Sequence, residues 1–345
     1  MSQASEGRSA RLLGIEDIAS AELLRKVWRE SVRRPLRSST LGDLNLAADP
    51  LHYAAYDWGL GTLVQDLVED LKLGRYTPTR GEIVRSAKVS GLSRPLCYLS
   101  PRDALVYRAI TWLVRDDLTR SARTWTSVGR SEKGTAAKPQ DVSVDSFDWF
   151  AFWLSRQGFV SKVLDKRETA FVVESDIANF YPSVRLEAVR EHLHSETRLS
   201  KEVVRLCGQI LDGVMPRSDY SEVSLLGLPQ EAVGSSREIA HSLLNPVDQQ
   251  FSKEGAEGRY TRYMDDILVG VESLSDGEKA IAKWQRSLEV LGLYPNAAKT
   301  RISTKADYLK DAMGSSNAAL DRLHEDGPGD GWLAADGHGG QPSLQ

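Results

Sequence analysis

Cysteine is nearly missing from this chain: Cys97 and Cys207 are the only two among 345 residues. Two such distant cysteines cannot build the disulfide framework of a small secreted domain, and they lack the C-x-x-C spacing of a zinc site. A reducing cytosol is the expected setting. No run of about 18 apolar residues occurs, so no membrane span is expected. The Ser-rich, polar stretch from Met1 to Ala10 has no apolar core of a secretory signal, and the reading is cytoplasmic, with no membrane partner. A positive excess is also missing, because 44 Lys and Arg meet 48 Asp and Glu for a net charge of -4. That speaks against a nonspecific nucleic-acid binder. No internal repeat is visible. What is present, 41% hydrophobic and 27% charged residues, excludes a disordered or collagen-like chain. The length accommodates one large domain or two to three subdomains, at about 100 to 200 residues each.

Apolar spacing predicts a helix over Ile15 to Arg37 with a dense basic end, and a second over Leu51 to Leu73 stopped by Gly74. Glu82 to Leu99 fits two short strands joined by a turn at Val89 to Ser93. Ser100 then caps a helix with Pro101 at its first position, running to about Ser121. Trp125 to Val144 is rich in Ser, Gly, Thr and Lys and reads as an exposed loop. Phe147 to Leu164 resumes a helical, aromatic pattern. Ala170 to Glu174 is a short β-branched strand leading into Asp176. Helices are expected over Ser183 to Leu193, Lys201 to Leu211, Glu238 to Phe251 and Asp276 to Leu291. A hairpin joins Tyr260 to Tyr263 with Ile267 to Val271 through Met264, Asp265 and Asp266, and Lys299 to Ser303 forms a last strand. From Gly314 the chain is Gly- and Asp-rich and reads as disordered.

Adjacent aspartates in a hairpin turn repel unless a positive charge compensates them. A divalent cation is one compensator, while a simple polar turn is the plainer explanation of an isolated Asp-Asp pair. Asp176, at the end of another strand, adds a third carboxylate. Such a trio can hold two Mg²⁺ ions about 3.5 to 4 Å apart, as phosphoryl-transfer enzymes do.

With these residues in order, the sequence resembles the reverse transcriptase family. Asp176-Ile177-Ala178-Asn179-Phe180-Tyr181-Pro182-Ser183 is similar to its first catalytic segment. Gly227-Leu228-Pro229-Gln230 resembles its nucleotide-pocket segment and Tyr263-Met264-Asp265-Asp266 its catalytic hairpin. Lys299-Thr300 after Leu291-Gly292-Leu293 resembles the segment that follows, and Lys88 with Arg94-Pro95-Leu96 the finger strands. Together they span roughly Ile83 to Ile302. Within the family, Gly91 to Leu96, Leu99 to Ala104 and Asp176 to Ser183 most resemble the bacterial defence-associated, or "unknown group", enzymes.

The resemblance implies an α/β (α+β) fold: right-hand fingers and palm with an antiparallel palm sheet, an N-terminal helical extension, and a reduced or missing thumb. It divides the chain into an extension over 1–79, fingers over 80–165 with the loop at about 125–144, a palm over 166–312 and a tail over 313–345. Asp176, Asp265 and Asp266 would be catalytic, holding two Mg²⁺ ions, or Mn²⁺, with the carbonyl of Ile177. Tyr181 would lie under the incoming sugar as a steric gate against a 2′-hydroxyl. Lys88 and Arg94 would neutralise the triphosphate, Gln230 would line the nucleotide pocket, and Lys299 would stabilise or protonate the departing pyrophosphate. The implied activity is RNA-directed DNA polymerase, a nucleotidyltransferase using dNTPs on an RNA template or an associated non-coding RNA, or on no template, in antiphage defence. Intron- or retron-type reverse transcription, a catalytically silent nucleic-acid-binding subunit and an RNA polymerase are the alternatives.

Two departures from the family pattern stand out. Glu231 replaces the glycine usual after the pocket glutamine, which either places a carboxylate near the nucleotide or marks a loop that runs differently. Little chain follows Lys299 for a thumb, so either a partner protein or self-association supplies the primer grip, or the polypeptide is short for its family. The charge objection also softens with position. Between Arg80 and Lys133, Arg80, Arg85, Lys88, Arg94, Arg102, Arg108, Arg115, Arg120, Arg123, Arg130 and Lys133 outnumber the acids, whereas Asp321, Glu325, Asp326, Asp330 and Asp336 gather in the tail.

Overall fold

The computed structural model describes residues 11–33, 53–87, 93–120, 158, 160–214, 227–252 and 259–312. The expected loop at 125–144, most of the aromatic helix before Leu164, the turn after Val89, Lys88 and the tail lie outside these residues.

The fold is mixed, with a four-stranded antiparallel sheet in the order β4-β5-β3-β6 and a separate two-stranded hairpin β1-β2. The strands are β1 (Glu82–Ala87), β2 (Ser93–Tyr98), β3 (Phe171–Ser175), β4 (Tyr260–Tyr263), β5 (Asp266–Val271) and β6 (Arg301–Thr304). β3 pairs with β5 from Phe171 opposite Val271 to Ser175 opposite Ile267, and with β6 on its other edge. Alternation along these strands sends residues to two faces. Val173, Ile267, Val269 and Val271 join the main core, where helix Leu274–Glu289 contributes the fully buried Trp284 and Leu288. Val172 and Leu268 point the other way, into a smaller cluster with Val160, Val163 and Leu164. The central strands are thus buried on both faces, which explains their nearly continuous apolar sequence.

Helix Pro101–Leu113 passes through the main core. Ser100 Oγ accepts from the Asp103 amide at 3.1 Å, as a capping serine should. The Asp103 carboxylate is itself buried, accepting from the Tyr76 hydroxyl at 2.6 Å and the Thr79 amide at 3.0 Å. Arg108 ties this helix to its neighbours: Nη1 pairs with Glu238 at 2.8 Å, and Nε donates to Ser31 Oγ at 2.8 Å.

Several elements depart from the sequence reading. The first helix is broken, as Ile15–Ile18, Ala21–Val27 and a π-helical turn Trp28–Val32. Ser20 restarts it by accepting from the Leu23 amide at 3.3 Å. The helix expected to reach Ser121 ends at Leu113 and resumes as Arg115–Arg120. The span from Glu238 to Phe251 is two helices, Ser235–Leu243 and Asn245–Ser252. Pro246 supplies the reason, because it has no N–H to continue the first helix but is tolerated in the opening turn of the second. Asp266 opens β5 rather than belonging to the turn, and Lys299 ends a 3₁₀ turn, Ala297–Lys299, before the strand begins at Arg301.

Cys97 and Cys207 are free, and burial pushes both thiols up to about 12. Both therefore stay protonated and unreactive near neutral pH. Among the described residues no helix is long and apolar enough to cross a membrane.

Candidate active site

The β4–β5 hairpin closes with Tyr263 opposite Asp266, leaving Met264 and Asp265 as the two turn residues. Such a tight turn needs positive φ at a central position. Met264 supplies it at φ 53. On the neighbouring strand, one register step beyond Ser175–Ile267 sets Asp176 opposite Asp266. The palm-side strands therefore deliver all three aspartates to one end of the sheet.

The loop after helix Leu274–Glu289 secures Asp176. Asn296 donates its backbone N–H to the Asp176 carbonyl at 2.7 Å, and Ala178 donates to the Tyr294 carbonyl at 2.9 Å. Ile177 faces Pro295 in an isolated bridge. Asp176 is only 6% exposed. Its Oδ2 accepts from Lys299 Nζ at 2.7 Å and from Asn296 Nδ2 at 3.4 Å.

Asp265 faces these groups under electrostatic stress. Burial, then the charges of Asp266 and Asp176, hold its carboxyl well above the ordinary carboxylate range. Carboxylates set against one another are costly to ionise together unless a proton or a cation compensates them. Among the described residues no three His, Cys, Asp or Glu side chains form a ready-made metal-binding group. The donor chemistry nevertheless fits a divalent cation: mutually repelling carboxylates gain most from a hard ion with oxygen preference. Asp266 stands beside them as additional negative charge.

Tyr181 lies against this centre. It sits in the short helix Phe180–Ser183, entered through Asn179 at φ 46, with its ring tilted against Phe180 at 5.5 Å between centroids. Burial above all raises its hydroxyl pKa; Asp265, Glu231 and Tyr263 add to the rise, and Arg237 opposes it. The pocket segment is fastened to the same turn, since Leu228 donates its N–H to the Tyr181 carbonyl at 3.0 Å. Gly227 has φ 107, and a Cβ there would stand 2.3 Å from the Tyr181 carbonyl oxygen. Glycine is required at this crossing. Gln230 in turn accepts from the Cys97 N–H at 2.8 Å, docking the pocket segment on β2.

Glu231 resolves one of the two departures. Its carboxylate accepts from the backbone N–H groups of Val233 at 2.6 Å, Gly234 at 3.0 Å and Ser236 at 2.7 Å. The residue is a cap for helix Ser235–Leu243, with its oxygens turned onto the helix start.

The remaining expected residues are only partly covered. Arg94 lies on β2 opposite Ser86 in register, and Lys88 lies outside the described residues. Sequence reasoning overlooked Asn296 and Arg237. Asn296 could have been noticed as a polar residue three positions before Lys299, whereas no local pattern marks Arg237 as a neighbour of Tyr181.

Residues 102–310, more than half of the chain, match the family described as Reverse transcriptase (RNA-dependent DNA polymerase). The chain belongs to that family. Similar solved structures include the apo telomerase from Candida tropicalis truncated from its C-terminal domain, at 15% identity, covering 66% of this chain and 50% of that one, with a TM-score of 0.43. Another is the apo telomerase of the same organism, at 13% identity, 71% and 49% coverage and a TM-score of 0.40. The chain spans about half the length of these structures. No curated protein sequence matches it.

Proposed function

We propose that this protein is an RNA-directed DNA polymerase that extends a 3′-hydroxyl with dNTPs, and that it serves bacterial antiphage defence. The observation that carries the polymerase reading is the placement of Asp176, Asp265 and Asp266 at one end of the sheet, where the charges of Asp266 and Asp176 help to raise the Asp265 carboxyl. A structural role gives no reason to set like charges together, whereas binding of cations and phosphates does.

Asp176 and Asp265, with the Ile177 carbonyl, would hold two Mg²⁺ ions, or Mn²⁺, and Asp266 would add charge. When bound, such ions lower the pKa of an attacking hydroxyl and stabilise charge on the transferring phosphoryl group. Tyr181 presents its ring face to the sugar and leaves no room for a 2′-hydroxyl. Lys299, already paired with Asp176, is placed to follow the negative charge to the leaving pyrophosphate as it develops. Gln230 lines the nucleotide pocket, and Lys88 and Arg94 act as phosphate-neutralising cations. The template is RNA, including an RNA that accompanies the protein, or synthesis is untemplated. The antiphage role rests on the likeness of Gly91 to Leu96, Leu99 to Ala104 and Asp176 to Ser183 to defence-associated enzymes. The protein works in the cytoplasm.

Incorporation of labelled dNTPs and NTPs with Mg²⁺, by wild type and Asp265→Ala, tests the chemistry. Wild type should incorporate dNTPs, Asp265→Ala should not, and Tyr181→Ala should raise NTP use relative to dNTP. An inactive wild type sinks the polymerase reading. Plaque counts on cells carrying wild type or Asp265→Ala test the defence role, which fails if both protect equally or neither protects. Sequencing the co-purifying nucleic acid separates this role from an intron- or retron-type function.

A further inference from the structure

Arg262 stands two residues before Met264, and none of the chemistry above uses it. It is fully buried, and so is Asp248 on helix Asn245–Ser252. Arg262 Nε donates to Asp248 Oδ1 at 2.7 Å and Nη2 to Oδ2 at 2.6 Å, a two-pronged pairing that fixes the guanidinium plane. The Tyr260 hydroxyl donates to the same Oδ1 at 2.6 Å. Nη2 also reaches the His241 carbonyl at 3.3 Å, and Nη1 lies 3.3 Å from His241 Nδ1. Burial, with the charges of Arg262 and Arg237, holds His241 well below its ordinary value. The imidazole is therefore neutral and able to accept.

One contact goes elsewhere. Arg262 Nη1 donates to the Met264 carbonyl at 2.8 Å. That carbonyl belongs to the peptide linking Met264 to Asp265, and Met264 is held at φ 53. A non-glycine residue in this region is strained and persists only where its surroundings over-determine it. The guanidinium thus joins two helices to the one peptide group that aims Asp265.

We infer that Arg262 is a positioning residue: anchored by Asp248, it fixes the Met264–Asp265 peptide and so aims the Asp265 carboxylate at Asp176 for divalent-cation binding. The inference rests on the polymerase reading, in which these two aspartates hold the cations. It differs from a purely structural role in a measurable way. A buried ion pair can often be exchanged for apolar side chains of similar volume without loss of stability, but no apolar side chain can donate to the Met264 carbonyl.

The decisive experiment pairs Mn²⁺ titration, followed by electron paramagnetic resonance, with dNTP incorporation across a range of metal concentrations. The double variant Arg262→Met with Asp248→Leu removes both charges together. Arg262→Lys keeps the charge, but one ammonium cannot hold the Asp248 fork and the Met264 carbonyl at once. Folding of each is checked by circular dichroism and thermal midpoint. The expected result is a folded variant whose Mn²⁺ affinity falls at least about tenfold, the range seen when groups that orient metal ligands are lost, with the dNTP KM unchanged. A folded variant that binds Mn²⁺ like wild type overturns the inference. Loss of fold in both variants also overturns it, because the pair is then structural and nothing more. A wild type that binds Mn²⁺ but lacks dNTP incorporation fails the polymerase reading while leaving the binding comparison intact, and a wild type that binds none overturns both.

Discussion

Asp248, fully buried, and Asp265, partly buried, lie at the same hairpin, yet the fold treats them in opposite ways. Asp248 meets a guanidinium fork and a tyrosine hydroxyl, so each oxygen has a donor. Asp265 meets Asp176 and Asp266, and its carboxyl is driven well above the usual range. Asp248 is the more deeply buried of the two, and what further separates them is the partner. A carboxylate with donors holds elements together; a carboxylate set against other carboxylates stores a demand for a cation. The contrast separates a carboxylate satisfied by donors from one raised by its like-charged neighbours.

Opposite substitution effects would sharpen this contrast most. Asp265→Asn should lower dNTP incorporation at least about 1000-fold, the scale of the several kcal/mol that metal ions contribute to phosphoryl transfer. The same change should stabilise the metal-free protein by about 1 to 3 kcal/mol, because it removes a like charge from a site crowded with carboxylates. The pH dependence follows from the raised carboxyl value. The folded state holds the Asp265 proton at a pH where the unfolded chain has released it, so stability is greatest in acid and falls as pH rises through the raised value. Thermal melts in a chelator should show this loss in wild type and a flatter profile in Asp265→Asn. Equal melts for the two proteins would break the comparison. Asp248→Ala should act in the other direction, destabilising by about 3 to 5 kcal/mol, because it strands the Arg262 charge in the core. Urea unfolding measures it.

Gly227→Ala probes the joint between the two segments that frame Tyr181. A Cβ 2.3 Å from the Tyr181 carbonyl, at φ 107, forces the turn apart. The expected cost is about 1 to 3 kcal/mol, with a rise in NTP use relative to dNTP as Tyr181 shifts. Unchanged stability and selectivity would mean that the joint is slack.

The strands β3, β4 and β5 and the hairpin between the last two were legible because their signals are local: short β-branched runs bounded by polar residues. The helix breaks were not. Ser20 competes with the helix through its own side chain, an interaction that apolar spacing does not register. Arg262 read as one more residue of a β-prone run, since its partner Asp248 lies on a helix 14 residues earlier and only the fold brings them together. Lys299 was placed at a strand start, whereas the capping contact of Asn296 Oδ1 with the Ala298 N–H, 3.2 Å, winds that stretch into a 3₁₀ turn. That turn sets the Lys299 ammonium on Asp176. The site's residue types were thus readable, and the contacts that orient them were not.

Glu231 lies between the two extremes and gives the mildest test. Three backbone N–H groups favour its charged form, yet burial outweighs them and its carboxyl is pushed upward. Glu231→Gln keeps the shape but offers one acceptor oxygen and sets an NH₂ against an N–H donor. The loss should be about 1 kcal/mol, the usual worth of a helix cap, seen as a small drop in thermal midpoint near neutral pH. Because wild-type stability falls as pH rises through the raised Glu231 value, the gap between the two proteins should be widest in acid and narrow as pH rises. Selection between dNTP and NTP should stay as in wild type, since the carboxylate is committed to the helix start. Altered nucleotide selection with an unchanged midpoint would mean that this carboxylate faces the substrate, and Glu231 would then move from the donor-satisfied class to the company of Asp265.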